Sequence, residues 1–457
     1  MDISINKPKP PVFVLIMYAL GQMGWSLAAY GVANLLIYYY MPPLNAQNEA
    51  IFPTYIYRGA VLGLGTVIGL LGAFGRIFDA VTDPLIANLS DRSRAAFGKR
   101  RWFMAIGLLP FALFSLLIFI PAVPYQSSLN AVWLMFCLLM LYLFMTIYVV
   151  PYTALISELG HTPNERLTIS TYISITFALG YGLGTQTFAF QNWAQHAFAL
   201  PAEQAFRMVM GGFALLAAML MALPVIFVDE NKYCITHTNH QTPLQAIRSV
   251  LQNRNFKLFA ISDLMYWLAL TFIQMGIAYY ISVLLGLEVQ YSSQVLMGML
   301  ALSFVFYVPV VYTARKLGKK QLMTLAFAWF TLLYLLMAFL GYYPANPVAQ
   351  IVLMGVFGSV PIAIFSILPN AVVADIIEDD ALQTGQSKAA VFYAARAFMM
   401  KMGISLANLL FPSLLLLGNS AQNPMGVRAT AVTAAVFCLL GWYFFTLYKE
   451  PKPHTAA

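Results

Sequence analysis

The stretch Gly75-Arg-Ile-Phe-Asp-Ala-Val-Thr-Asp-Pro84 places Arg76, Asp79 and Asp83 inside a long apolar run. Hydrophobic residues make up 61% of the 457-residue chain and charged residues only 9%, whereas soluble domains are about 25% charged. An ionisable side chain at membrane depth is costly unless it is paired or faces a polar cavity, so such residues mark ion or solute paths. The stretch therefore predicts a polytopic membrane protein and favours a transport function.

Twelve apolar stretches are long enough to cross a bilayer, because about 20 helical residues span its hydrocarbon core. Their continuous apolar runs exclude a transmembrane barrel, whose strands of about 10 residues alternate in polarity. We predict an all-α membrane protein with spans at residues 12–40, 57–90, 101–121, 130–157, 167–190, 206–228, 256–286, 294–313, 321–342, 347–371, 389–416 and 427–448.

The net charge of +8 reflects membrane topology rather than a nucleic-acid partner. Of the 25 Lys and Arg residues, 19 lie in the two tails and in alternate loops, among them the loops 92–101 and 315–320. Cytoplasmic loops carry this excess of positive charge, and an even number of spans then puts both termini in the cytoplasm. We expect a multi-pass protein of a bacterial inner (plasma) membrane that contacts lipids, binds no nucleic acid and acts as a monomer.

The spans divide into two pseudo-symmetric halves of six helices, 1–228 and 256–457. The loops 91–101 and 314–320 occupy matching places six spans apart, as do the similar segments 150–158 and 368–376. This duplication is the arrangement expected of the major facilitator superfamily.

A polar segment at 229–255 joins the two halves as a cytoplasmic linker. Within it and just beyond it, Leu244, Ile247, Leu251 and Leu258 recur at helical spacing with polar residues between them. The pattern predicts an amphipathic helix at the membrane surface.

The opening stretch offers a candidate cation site. Asp79 and Asp83 share one helix face, with Arg76 one turn before them. Two carboxylates and the hydroxyl of Thr82 provide hard oxygen ligands suited to Na⁺, but the pair could instead carry a proton, because neighbouring carboxylates raise one another's pKa. The alternative, in which Asp83 only ends the helix before Pro84 and Arg76 only neutralises Asp79, is disfavoured because packing rarely requires two buried acids.

Two further charges, Lys401 and Arg396, lie in an apolar run near the carboxyl end. Lys401 is about two turns from any aqueous loop and needs a partner, for which Asp79 and Asp83 are the candidates; snorkelling to the interface is the alternative. Arg396 points about 140° away from Lys401 on a helix, so we expect it to meet a different partner, either Asp263 or a substrate anion.

Polar stripes on two spans could line a water-filled cavity or could bind neighbouring helices. One contains Gln22, Ser26, Tyr30 and Asn34, and the other contains Asp263, Trp267, Thr271 and Gln274. With the aromatic residues beside them and the basic residue described above, the candidate substrate-binding residues are Gln22, Trp25, Tyr30, Tyr152, Asp263, Trp267 and Arg396.

Charged residues near the cytoplasmic ends of the spans could form salt bridges between the two halves that close the molecule on the inside. The alternative is ordinary solvated loop charge, since exposed pairs contribute only about 0–1 kcal/mol each. The candidates for this cytoplasmic gate are Asp91, Arg92, Glu158, Arg166, Asp375 and Glu378.

Several motifs together resemble one family. Arg76-Ile-Phe-Asp-Ala-Val-Thr-Asp-Pro84, with Ser90-Asp-Arg92 and Gly98-Lys-Arg-Arg-Trp102, resembles the second helix and following loop of the glycoside-pentoside-hexuronide:cation symporter family, the melibiose-permease-like branch of the major facilitator superfamily. Further matching stretches, in order along nearly the whole chain, are Val150-Pro-Tyr-Thr-Ala154, Asn164-Glu-Arg166, Leu368-Pro-Asn-Ala371, Ala374-Asp-Ile-Ile-Glu378, Thr384-Gly385 and Met400-Lys-Met-Gly403.

The resemblance implies a role for several positions. Asp79, Asp83, Thr82 and Thr146 are similar to the family's cation-site residues, and Lys401 to a lysine near that site. The acidic residues that bind galactosides are replaced by the Gln22–Trp25 region in helix 1 and by Val149 in helix 4, so the resemblance does not extend to a galactoside like melibiose.

The implied function is symport of a small polar solute, a sugar or glycoside first, with Na⁺ or H⁺ as the coupling ion and no other cofactor. A lysophospholipid, another amphiphile or an organic anion is the alternative solute. A non-transporting receptor or an enzyme is a remote alternative, because no zinc-protease, nucleophile-elbow or phosphate-loop motif occurs.

Overall fold

The computed structural model of the chain describes residues 7–44, 50–61, 65–93, 95–234, 250, 252–384 and 389–450. The first part of the chain contains α1 (Val12–Tyr30), a π-helical turn (Gly31–Leu35), α2 (Leu36–Tyr40), β1 (Ala60–Val61), β2 (Gly65–Thr66), α3 (Val67–Arg92), α4 (Lys99–Leu117), α5 (Ser128–Leu159), α6 (Pro163–Thr185), α7 (Thr187–Phe198), α8 (Ala202–Phe227) and α9 (Glu230–Tyr233). The second part contains α10 (Arg254–Tyr279), a second π-helical turn (Tyr280–Leu284), α11 (Gln290–Leu317), α12 (Lys319–Ala338), α13 (Pro347–Thr384), α14 (Ala389–Leu415) and α15 (Met425–Thr446).

The predicted all-helical membrane fold is confirmed. Within the described residues, 11 helical segments are long and apolar enough to cross a membrane. Helix α3 is not among these, because Arg76, Asp79, Asp83, Asp91 and Arg92 make it polar. With 26 residues and a rise of about 1.5 Å per residue, α3 is nevertheless long enough to serve as the second predicted span, which brings the number of spans to twelve.

The predicted start of the second span was wrong. The sequence suggested a helix from residue 57, but α3 begins at Val67, after a short hairpin in which Ala60 pairs with Thr66 and Val61 with Gly65. The apolar run continues through both strands, so composition alone does not reveal where the helix begins.

The chain forms two compact units. The first comprises the described residues within 1–42, 50–58 and 74–240, and the second those within 43–49, 59–73 and 241–457. The start of α3 therefore groups with the second unit, which the predicted division at 228 and 256 did not anticipate. Of the proposed linker helix, residues 244–249 and 251 lie outside the described residues, and the described linker contains the short helix α9.

Within the first unit α1 packs against α6 and α8, and α4 against α5; within the second α10 packs against α14 and α15, and α12 against α15. Helices α1 and α6 approach closely at Gly184, where an added Cβ would lie 2.4 Å from the Tyr30 ring. At Gly180 a Cβ would lie 2.4 Å from the carbonyl oxygen of Met23. Only glycine permits this contact at either position.

Candidate cation and solute sites

The side chain of Thr146 is the meeting point of the candidate cation site. Its Oγ1 on α5 lies 3.1 Å from Asp79 Oδ1 and 3.2 Å from Asp83 Oδ1 on α3, and 3.3 Å from Thr82 Oγ1. A hydroxyl carries one proton and can donate to only one carboxylate at a time. The structure therefore brings two carboxylates and two hydroxyls around one point, a set of hard oxygen donors that suits Na⁺ or a shared proton.

The two carboxylates have different surroundings. Asp79 is 1% exposed, whereas Asp83 is half-buried. Arg76 Nη1 lies 3.7 Å from Asp79 Oδ2, and the guanidinium stacks 5.1 Å from the centre of the Tyr142 ring. Arg76 is thus a charge partner of the deeper carboxylate, while Asp83 is the more accessible of the two.

Lys401 lies on α14 in the second unit and is half-buried. Its pairing with Asp79 or Asp83 stays a prediction. Within the described residues, no group of three or more His, Cys, Asp or Glu side chains could hold a metal ion. A cation at Asp79 and Asp83 therefore depends on the hydroxyls as well as on the two acids.

A second charged cluster lies inside the second unit. Arg396 Nε donates to Asp263 Oδ2 at 3.0 Å and Nη2 donates to Asp263 Oδ1 at 3.3 Å, while Nη1 donates to Asn370 Oδ1. Of the two partners that the sequence left open for Arg396, the structure supports Asp263. Trp267, one turn further along α10, lies beside this carboxylate, although its buried indole N–H does not reach hydrogen-bonding geometry. Asn370 was not among the candidate site residues, although it lies in the stretch Leu368-Pro-Asn-Ala371 that resembles the family.

The polar stripe on α1 has a mixed role. Ser26 Oγ donates to the Met23 carbonyl of the same helix at 3.1 Å, so this hydroxyl is already used within α1. Gln22 and Tyr30 are buried, and Tyr30 meets the Tyr181 ring edge-on at 5.1 Å. The indole N–H of Trp25 is buried with no hydrogen-bond partner among the described residues, which leaves it as a free donor.

Tyr152 belongs to the packing of the first unit. Its hydroxyl donates to the Tyr18 carbonyl at 2.8 Å, the Tyr18 hydroxyl donates to the Tyr152 carbonyl at 2.5 Å, and the rings stack 4.5 Å apart. Tyr152 is also 0% exposed. We therefore leave it out of the proposed substrate site.

Arg100, which was not among the predicted gate residues, organises a cluster of charged residues at the predicted cytoplasmic end of the first unit. Its guanidinium donates to Glu158 Oε1 at 3.0 and 3.2 Å, and also to Asp91 Oδ1 and Ser90 Oγ. Asp91 and Glu158 thus meet around Arg100 within the first unit, whereas Arg92 is exposed. The signal was present in the sequence, since Arg100 stands where the basic loop turns into an apolar span.

The other gate candidates bind residues of their own unit or have no hydrogen bond or ion pair with any described residue. Arg166 Nε donates to the Gly160 carbonyl at 2.7 Å, at the end of α5. Asp375 accepts from Lys319 Nζ at 2.6 Å, within the second unit. Glu378 is exposed. A salt bridge between the halves stays a prediction for these residues.

Glu230 on α9 holds the beginning of α4 in place. Its Oε2 accepts the backbone N–H groups of Arg100 at 2.8 Å and of Arg101 at 3.1 Å. Burial raises the pKa of the Glu230 carboxyl, and these two N–H groups oppose that shift. Gly98 makes the contact possible, because its φ is +110° and a Cβ there would lie 2.5 Å from Glu230 Oε2.

Comparisons with known proteins identify the family and the fold of the chain. A family model described as MFS/sugar transport protein matches residues 17–452. An uncharacterised symporter of Synechocystis sp. is 24% identical over 89% of this chain and 86% of its own. The glycoside/cation symporter YagG of Escherichia coli (strain K12) is 30% identical over 29% of each chain. The crystal structure of a mutant of the nucleoside transporter NupG superposes with a TM-score of 0.69 at 13% identity, over 95% of this chain and 99% of that one, which supports the fold alone.

Proposed function

Because the chain belongs to the family of MFS/sugar transport proteins, we propose that it couples inward movement of Na⁺ or H⁺ to uptake of a sugar or glycoside. It is a symporter of the major facilitator superfamily and not an enzyme. One observation carries the cation-coupled part of the proposal, namely the convergence of Asp79 and Asp83 on the hydroxyl of Thr146.

The proposed site works through charge. Two carboxylates in a low-dielectric site repel each other, and a bound cation or proton relieves that repulsion. Asp83, half-buried, accepts the incoming cation first, and Asp79, fixed beside Arg76, completes the site. Loaded and unloaded clusters then favour different conformations of the transporter, which is what alternating access requires.

The proposed solute class rests on the related glycoside/cation symporter and on donors inside the helices. On α1 the donors are Gln22, Trp25 and Tyr30, and in the second unit they are Arg396 and Trp267, while Asp263 is an acceptor. We further propose a monomer embedded in lipid, with both termini in the cytoplasm, because the Lys and Arg residues gather in the tails and in alternate loops.

The test is accumulation of radiolabelled methyl glycosides in proteoliposomes under a Na⁺ or proton gradient. Asp79→Asn and Asp83→Asn keep the side-chain shape but remove the charge, so each variant is expected to fold normally and to lose concentrative uptake. Asp229→Asn is the matched control, because Asp229 caps α9 through the Lys232 N–H outside the proposed cation and solute sites and asparagine caps as well as aspartate. Concentrative uptake that persists in both the Asp79 and Asp83 variants would overturn the assignment.

A further inference from the structure

The Asp263–Arg396–Asn370 cluster contains one positive charge, one negative charge and one neutral amide. Arg396 uses Nε and Nη2 on the Asp263 carboxylate, a forked pair that cancels the charge of the guanidinium locally. Asp263 is 2% exposed, so little water screens the pair. An incoming ligand therefore meets a site with no net charge.

The cluster keeps hydrogen-bonding capacity after its own bonds are made. Arg396 has five N–H groups, and three of them bind Asp263 and Asn370. The other two have no partner among the described residues. Asn370 uses its carbonyl oxygen on Arg396 and is an exposed residue, so its amide N–H groups are accessible. The site thus offers donors without offering a charge.

The cluster lies within the membrane-spanning part of the chain. Asp263 is in the span Arg254–Leu284 and Arg396 in the span Val391–Leu415. A charged, partly accessible group in a span faces a polar path rather than lipid. The same cluster is therefore positioned to meet a transported solute.

We propose that Asp263, Arg396 and Asn370 bind hydroxyl groups of an uncharged solute, and that Asp263, by neutralising Arg396, makes the protein prefer neutral glycosides over hexuronides and other organic anions. This inference rests on the proposed function and names its solute class. An Arg396 without Asp263 would instead form a charge-assisted bond with a carboxylate, the stronger interaction for that residue.

The test compares two ligands that differ at one group. Methyl glucoside carries a hydroxymethyl group where methyl glucuronide carries a carboxylate, and binding of each to the purified full-length protein is measured by titration calorimetry with no ion gradient. The wild type is expected to prefer the glucoside. Asp263→Asn should shift the ratio of affinities towards the glucuronide by about tenfold or more, because it releases the charge of Arg396. Asp263→Glu should restore the preference.

A second variant keeps the test valid if Asp263→Asn fails to fold. Asn370→Asp changes an exposed residue and adds a negative charge beside Arg396, so it should shift the ratio further towards the glucoside. Glu450→Gln, which removes a carboxylate that accepts the Lys319 backbone N–H in the same unit, should leave the ratio unchanged.

The outcomes separate this inference from the function beneath it. A wild type that binds the glucuronide more tightly, or a ratio that responds to neither Asp263→Asn nor Asn370→Asp, overturns the inference while leaving cation-coupled sugar transport intact. A wild type that binds neither sugar overturns the proposed solute class and the inference with it. Loss of glycoside accumulation in Asp83→Asn tests cation coupling alone. The ratio of glucoside to glucuronide affinity is expected to be unchanged in that variant.

Discussion

At the scale of single residues, Thr146 decides how the two aspartates act together. The spacing of Asp79 and Asp83 places both on one face of α3, but spacing cannot say what lies opposite. That position is filled by the hydroxyl of Thr146 from α5, within 3.2 Å of an oxygen of each carboxylate. Sequence reasoning found Thr146 only through family resemblance, because a lone threonine in an apolar span has no local signal.

We predict that Thr146→Val lowers the affinity of the site for the coupling cation and that Thr146→Ser does not. Valine has the shape of threonine but no oxygen, so the cation loses a ligand and the carboxylates lose a hydrogen-bond donor. Hydrogen bonds to charged groups contribute about 1.5–3 kcal/mol, so the half-saturating cation concentration should rise about tenfold or more. Cation titration of glycoside uptake measures this change. An unaltered cation requirement in Thr146→Val would remove the hydroxyl from the site.

Other residues show where a one-dimensional pattern is ambiguous. The sequence placed Asp91 and Glu158 near the basic loop 92–101 but did not single out a partner in it, and the structure shows that Arg92 is exposed whereas Arg100 is 5% exposed. It also treated Tyr152 as a substrate residue because the residue adjoins polar positions. Which of several basic or aromatic residues turns inward depends on helix orientation, and that is fixed only by tertiary packing.

At the scale of helices, each half begins with a helix that ends in a π-helical turn. These are Gly31–Leu35 after α1 and Tyr280–Leu284 after α10. In the first, Asn34 Nδ2 donates to the Tyr30 carbonyl at 3.1 Å; in the second, Ser282 Oγ donates to the Ala278 carbonyl at 2.7 Å. A side chain thus binds a carbonyl one turn back in both helices. The sequence predicted the duplicated halves, but a π turn is defined by hydrogen bonds that hydrophobic periodicity does not report.

The start of α4 gives a prediction at the same scale, in which Glu230 makes stability depend on pH. Burial raises the pKa of its carboxyl in the folded protein above the ordinary value of 4.5, so the folded state binds this proton more tightly than the unfolded state. The contribution of Glu230 to the stability of the folded state is fully present below pH 4.5 and is lost as the pH rises through the pKa of the folded state. Glu230→Gln does not titrate. Its melting temperature relative to wild type should therefore increase as pH is raised through that window.

Melting curves of both proteins in detergent, recorded at several pH values, give this difference directly. Glu450→Gln is a suitable control, because it too removes an acid that accepts backbone N–H groups, those of Lys319 and Lys320. A difference between Glu230→Gln and wild type that stays constant with pH would show that Glu230 titrates alike in the folded and unfolded chains.

At the scale of the whole molecule, hydropathy and charge predicted most of the architecture. Continuous apolar runs excluded a barrel, and repeated loops suggested two halves. The boundary between the two units was less predictable, because residues 59–61 and 65–73, which include the start of α3, group with the second unit although the charged face of α3 belongs to the first. Grouping of this kind depends on contacts between residues far apart in sequence, such as Ser405 Oγ donating to the Ala73 carbonyl at 3.0 Å.

The last prediction also concerns the whole molecule, because the proposed cation cluster belongs to the first unit and the proposed hydroxyl-binding cluster to the second. Coupling between two sites is a single free energy, so the factor by which the cation raises glycoside affinity must equal the factor by which glycoside raises cation affinity. We expect a factor of about 5–150. Titration calorimetry with methyl glucoside measures the factor by which the cation raises glycoside affinity. It is carried out with and without saturating Na⁺, and then across pH without Na⁺. Cation titration with and without methyl glucoside measures the factor by which the glycoside raises cation affinity. Thr146→Val should shift the cation concentrations needed in both measurements. Glycoside affinity that is independent of both Na⁺ and pH would contradict the binding free-energy coupling proposed between these two sites.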